Sequence, residues 1–222
     1  MLTCTEDKLL NISNESTYHA DNGQLLSGWQ KFLDGDSEAF GQLVALYYAP
    51  LFQYGMKIHP DKDFVEDCIQ EMATTLWTKR SNLSREVHVK SYFFKSLRHK
   101  MLRELQNHKT QQKRLGLWIQ DYQPPFNAEL SVESFIIDDD GERERKQQLH
   151  NCLQQLSHRQ QEIIYLRYFQ NLEHEQVAAI MKLTKEAAYN LLSMALKRLR
   201  NQWELLSGAV SGCIILLQGN YF

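Results

Sequence analysis

Apolar residues recur at helical intervals through most of this chain. Leu25, Leu26, Trp29, Phe32 and Leu33 are spaced i, i+1, i+4, i+7 and i+8, which lays one apolar stripe along a helix. "DGD" breaks that pattern. Asp36 has the side chain to cap a second helix, with Phe40, Leu43, Val44, Tyr47 and Leu51 on its inner face. A turn at "HPDKD" predicts a third helix from about Phe64 to Trp77, with Val65, Cys68, Ile69, Met72 and Leu76 inward. After the polar, basic stretch "TKRSNLSREVHVK", helical spacing resumes at Tyr92, Phe93, Leu97, Met101 and Leu105. Tyr92 and Phe93 fit this core, whereas Phe94 is compatible with core or surface. The pattern predicts a helical domain over residues 23–106, preceded by a polar tail over 1–22.

Periodicity fades over 107–144. "QPPF" and "DDDGE" are loop signals, with short helical turns expected near "RLGLWI". It resumes at Leu149, Cys152, Leu153 and Leu156. Ser157 and Gln160 match a capping box, opening a helix that buries Ile163, Ile164 and either Leu166 or Tyr168. "LEHEQVAAI" and a last helix follow, which predicts a helix-turn-helix domain over 145–204. The fold class expected is all-α: two helical domains joined by a charged linker.

The last helix divides its labour. With Thr184 as N-cap, Ala188, Leu191, Leu192, Ala195 and Leu199 form one core stripe. Lys185, Glu186, Tyr189, Asn190, Ser193, Lys197 and Arg200 fall opposite. A helix that reads DNA needs one anchored face and one polar face, and Asn190 has the amide for an adenine edge. Lys197 and Arg200 suit phosphates. A solvated amphipathic helix would show the same wheel, so the helix alone does not decide.

Charge changes the picture more than composition does. The net charge is −2, with 43% hydrophobic and 23% charged residues, an ordinary globular balance. Yet residues 79–114 hold eleven Lys/Arg against two Asp/Glu, and residues 121–144 hold eight acids against Arg143 alone. A basic surface beside an acidic connector is expected. Cys4, Cys68, Cys152 and Cys213 have no metal or disulfide spacing, so no metal or other cofactor is expected, and the usage fits a reducing cytosol. The apolar run "AVSGCIILL" over 209–217, within an extension over 205–222, is too short to span a bilayer, so no membrane insertion is expected. Its apolarity predicts that it is covered, by this chain's own surface or by a partner.

Two stretches, in order, resemble a known family. "LSHRQQEIIYLRYFQNLEHEQVAAIMKLTKEAAYNLLSMALKRLR" is similar to the region 4 helix-turn-helix of bacterial sigma factors. "GDSEAFGQLVALYYAPLFQYG", "EDCIQEMATTLW" and "SYFFKSLRHKML" resemble region 2 of that family. With regions 2 and 4 only, the chain resembles an extracytoplasmic-function (ECF) sigma factor, in a Bacteroidetes-like version. The resemblance implies binding to the β′ clamp helices of core RNA polymerase through Asp67, Gln70 and Glu71, and contact with the β flap. It implies −10 element contacts from Lys79, Arg80, Asn82, Ser84, Arg85, His88, Lys90, Lys95, Arg98, His99 and Lys100. Asn82, Ser84, Arg85 and His88 would border a pocket for a flipped base, and an exposed aromatic among Tyr92, Phe93 and Phe94 could stack on another. The −35 element would be read by Lys185, Glu186, Tyr189, Asn190, Ser193, Lys197 and Arg200. An anti-sigma factor is an expected partner beside the promoter DNA.

The family's usual glycine in the region 4 turn is Lys182 here, so that turn has to be made without a residue that readily adopts the left-handed conformation. A stand-alone, dimeric helix-turn-helix regulator is the alternative, although it has no need of "DCIQE" beside a basic-aromatic helix. The phosphate-loop, zinc-protease and nucleophile-elbow motifs of enzymes do not occur.

Overall fold

A computed structural model describes residues 23–114, 126–127 and 149–207, with side chains for 23–107, 126–127 and 149–202. The apolar tail, the N-terminal tail and nearly all of the acidic connector lie outside the described residues. Those residues are helical with short turns and contain no strand. They divide into two compact units: residues 23–55 with 61–107, and residues 56–60 with those described beyond 107.

The first unit is built from α1 (residues 23–33), α2 (Ser37–Ile58), α3 (Lys62–Thr78) and α4 (Val89–Arg114). Asp36 opens α2 as expected, its Oδ1 accepting the amides of Glu38 at 2.9 Å and Ala39 at 3.0 Å. Asp61 does the same for α3, through Phe64 N–H at 3.1 Å. The inner face of α3 is Val65, Cys68, Ile69, Met72 and Leu76, the stripe read from spacing. Helix α4 runs on to Arg114, past the predicted boundary at 106. The added residues lack an apolar stripe, but no glycine or proline stops them, and most are good helix formers.

An aromatic cluster fills the middle of this unit. Trp29 meets Phe32 edge-on at 5.1 Å and Tyr92 at 5.2 Å, and Phe32 stacks on Phe40 at 4.5 Å. Phe93 and Phe94 are both fully buried, which settles the open position 94 as core. Close packing of α2 on its neighbours depends on Gly55. A Cβ added there would lie 2.5 Å from Val65 Cγ1 and 3.4 Å from Met101 Sδ.

In the second unit, α5 (residues 149–154) leads to α6 (His158–Ile164), α7 (His174–Met181) and α8 (Lys185–Ser207). The capping box is formed: Ser157 Oγ accepts from Gln160 N–H, and Gln160 Oε1 from Ser157 N–H at 3.1 Å. Of the two residues proposed for the core, Leu166 is buried and Tyr168 is half-buried. Helix α6 ends in a π-helical turn over Tyr165–Phe169, closed by Asn171 in the left-handed region. From the connector, Phe126 packs its ring 5.7 Å from that of Tyr165, and its carbonyl lies 3.0 Å from His158 Nδ1.

The α7–α8 turn is made by the lysine that stands in place of glycine. Lys182 adopts φ 54°, ψ 48°, the left-handed conformation that glycine would ordinarily supply. The turn closes when Leu183 N–H reaches back to the Ala178 carbonyl at 2.9 Å, a Schellman bond. That geometry requires a positive φ whichever side chain is present.

Candidate polymerase and nucleic-acid interfaces

Asp67, Gln70 and Glu71 lie at i, i+3 and i+4 on α3, opposite the buried Cys68–Met72 stripe, and all three are exposed. Glu71 is also engaged within the unit. It pairs with Lys100 of α4, which pairs in turn with Glu104 at 2.9 Å. Hydrogen bonds that Lys100 donates to Glu71 and Glu104 raise its pKa above the ordinary value, and the Glu104 carboxylate is lowered by the same contact. Sequence spacing places Glu104 next to Lys100, but the link across to α3 is a tertiary contact with no local signal.

The residues assigned to the −10 element separate by depth. Lys79, Asn82, Ser84 and Arg85 are exposed along the segment between α3 and α4, which includes a 3₁₀ turn over Arg80–Asn82. Arg80, Lys90, Lys95, His99 and Lys100 are half-buried. The Arg80 guanidinium stacks 4.4 Å above the Trp77 ring and donates to the Trp77 carbonyl at 2.8 Å. Burial lowers the pKa of Lys90.

Two of these side chains are engaged within the unit. Arg98 is only 8% exposed and is withdrawn from the surface shared by its basic neighbours. It stands one turn after Phe94 and three residues before Met101, both in the core, so helical geometry carries it inward. His88 caps α4: its Nδ1 accepts Ser91 N–H at 3.2 Å, and Ser91 Oγ donates to the His88 carbonyl at 3.0 Å. As for a stacking platform, Phe93 and Phe94 are buried, and Tyr92 is half-buried against Trp29.

The recognition-type helix is arranged as its wheel predicts. Thr184 Oγ1 accepts Ala187 N–H at 3.1 Å and caps α8. Ala188, Leu192, Ala195 and Leu199 are buried and Leu191 is half-buried. Lys185, Glu186, Tyr189, Asn190, Ser193, Lys197 and Arg200 are all exposed, Tyr189 at 57%. Lys185 reaches back to Glu175 of α7 at 2.5 Å, an ion pair that raises the lysine's pKa and lowers the glutamate's. The α8 amide end and the Thr184 hydroxyl hold the Glu186 carboxyl below its usual range. His174 is half-buried with its ring 5.9 Å from that of Tyr189. Its pKa is lowered, first by burial and then by Arg167. An anchored helix that presents a polar, partly cationic face after a three-residue turn is the geometry by which such pairs enter a major groove.

The sequence profile for "Sigma-70, region 4" matches residues 152–201. Within those residues the chain carries a sigma-70 region 4 domain. The match begins in α5 and ends in α8, so it contains every residue assigned to the −35 element. The chain also shares its fold with two solved structures. One is CnrH in complex with the cytosolic domain of CnrY (TM-score 0.53, 17% identity), over 84% of this chain and 99% of that one. The other is the sigma factor RpoE in complex with the anti-sigma factor NepR from Bartonella quintana (TM-score 0.52, 21% identity), over 74% and 96%. No curated protein matches the chain in sequence. Among the described residues, no helix is long and apolar enough to cross a membrane.

Proposed function

We propose that this chain is a sigma-70 family protein and acts as an ECF-type initiation factor through three surfaces. Asp67, Gln70 and Glu71 dock on a basic partner helix of core RNA polymerase, the β′ clamp. Lys79, Asn82, Ser84, Arg85, Lys90 and Lys95 meet the opened −10 strand. The polar face of α8 reads the −35 duplex. The observation that carries this reading is α8 itself: a buried stripe on one side, seven exposed polar residues on the other, inside the region 4 match. Residues 23–106 would then serve as region 2 and residues 145–204 as region 4, joined by the acidic connector. No step is chemical, because the factor supplies binding energy and sequence choice to an enzyme that makes the RNA. The cytoplasm, where that enzyme works, is the place of action. An anti-sigma factor is the expected partner of the resting chain, in line with the complex of the fold relative RpoE with the anti-sigma factor NepR.

The test is co-purification with core RNA polymerase, using the intact chain and a variant with Asp67, Gln70 and Glu71 all changed to alanine. Retention of the intact chain and loss of the variant are expected. Failure of the soluble intact chain to bind core would overturn the reading and favour a dimeric regulator that acts through α8 alone.

A further inference from the structure

The segment between α3 and α4 is tied to α1 at two adjacent residues. Trp29, fully buried, donates its indole N–H to the Ser84 carbonyl at 2.9 Å. That bond fixes the backbone at Ser84, and the next residue, Arg85, pairs with Asp34 in the turn that follows α1. Both members of the pair are exposed, with side chains 63% and 60% accessible. Sequence separations of 55 and 51 residues make these tertiary contacts rather than local ones. Arg85 is therefore presented to solvent at an anchored position, but already neutralised.

We propose that Asp34 is an electrostatic guard on this loop. It occupies Arg85 in the free protein and has to be displaced before the phosphate backbone of a single strand can take its place. The inference rests on the reading of residues 79–100 as a single-strand surface. An exposed ion pair contributes little, so a phosphate can replace the carboxylate. Once displaced, Asp34 remains beside a polyanion, and its repulsion weakens every strand alike, because phosphate contacts carry no sequence information. A chain with eleven Lys/Arg between residues 79 and 114 gains from such a guard. Non-specific capture is suppressed, while contacts to base edges are left untouched.

The experiment uses full-length wild type, Asp34→Asn, Arg85→Gln and the double variant. Binding to a fluorescein-labelled, mixed-sequence single-stranded oligonucleotide is measured by anisotropy across a salt series. Asp34→Asn is expected to bind about two- to fivefold tighter at low salt, the range an exposed pair allows. Its log–log salt slope should steepen by up to about one, because Arg85 then releases a counterion without leaving a carboxylate unpaired. In the Arg85→Gln background the same change should give a distinctly smaller gain, that of the lost carboxylate repulsion alone. Equal affinity of Asp34→Asn and wild type overturns the guard. So does an equal gain with and without Arg85, which would be a net-charge effect, or absence of binding by every variant. Co-purification with core polymerase separates the two failures: a chain that binds core yet gives a flat result here loses only the guard.

Discussion

Lys182 holds a left-handed backbone between α7 and α8, and a lysine Cβ makes that conformation costly by about 1–2 kcal/mol. Lys182→Gly removes the clash but leaves a more mobile unfolded chain, which returns part of the gain. The variant is expected to be more stable by about 0.5–1 kcal/mol, read from denaturant unfolding, and a loss of stability would contradict the strain argument. Gly55 is the opposite case. Val65 Cγ1 sits 2.5 Å from where its Cβ would be, and a branched side chain inside the core cannot swing away. Gly55→Ala is expected to destabilise by about 1–3 kcal/mol, as overpacking generally does; an unchanged denaturation midpoint would show that α2 can shift. Neither residue announces itself in the sequence. Lysine at 182 reads as a residue that avoids positive φ, and glycine at 55 reads as a weak point in an otherwise apolar helix. Backbone demand overrides side-chain preference in the first case, and helix proximity does so in the second.

At the scale of elements, the helices and their inner faces were legible because a single period controls them. The buried stripe of α3, the caps at Asp36, Ser157 and Thr184, and the two faces of α8 all follow from spacing and from short polar side chains. What spacing misses is how elements hold one another: Trp29 on Ser84, Glu71 on Lys100, Lys185 on Glu175. It also misses the π-turn after α6, where the helical pattern continues and only the hydrogen bonds change. On α8 the two kinds of polar side chain predict different outcomes. Asn190→Ala is expected to cost about 1–3 kcal/mol on a cognate −35 duplex and to relax its sequence preference. Lys197→Ala should weaken cognate and random duplexes alike and lower the salt slope by about one. Both are read from binding isotherms on the two duplexes at several salt concentrations. The same response from both variants would mean that this face carries charge without reading sequence.

For the whole molecule, a net charge of −2 conceals how the charges are distributed along the chain, and the hydrophobic residues are distributed as unevenly. One core closes around Trp29, Phe32, Tyr54, Phe93 and Leu97, and another around Cys152, Ile163, Leu166, Leu172, Ile180 and Leu192. Units with separate cores of this size unfold as separate cooperative transitions. Gly55 belongs to the first unit and Lys182 to the second, so the two substitutions label one core each. In a domain of this length, 1 kcal/mol moves the midpoint by roughly 4–8 °C. Scanning calorimetry of the full chain should therefore resolve two transitions, or one broad peak that separates into two in the variants. Gly55→Ala should lower one midpoint and leave the other in place, while Lys182→Gly raises the second alone. A single sharp transition that moves with either substitution would mean that the two cores unfold as one unit, and that the two units cannot meet their partners independently.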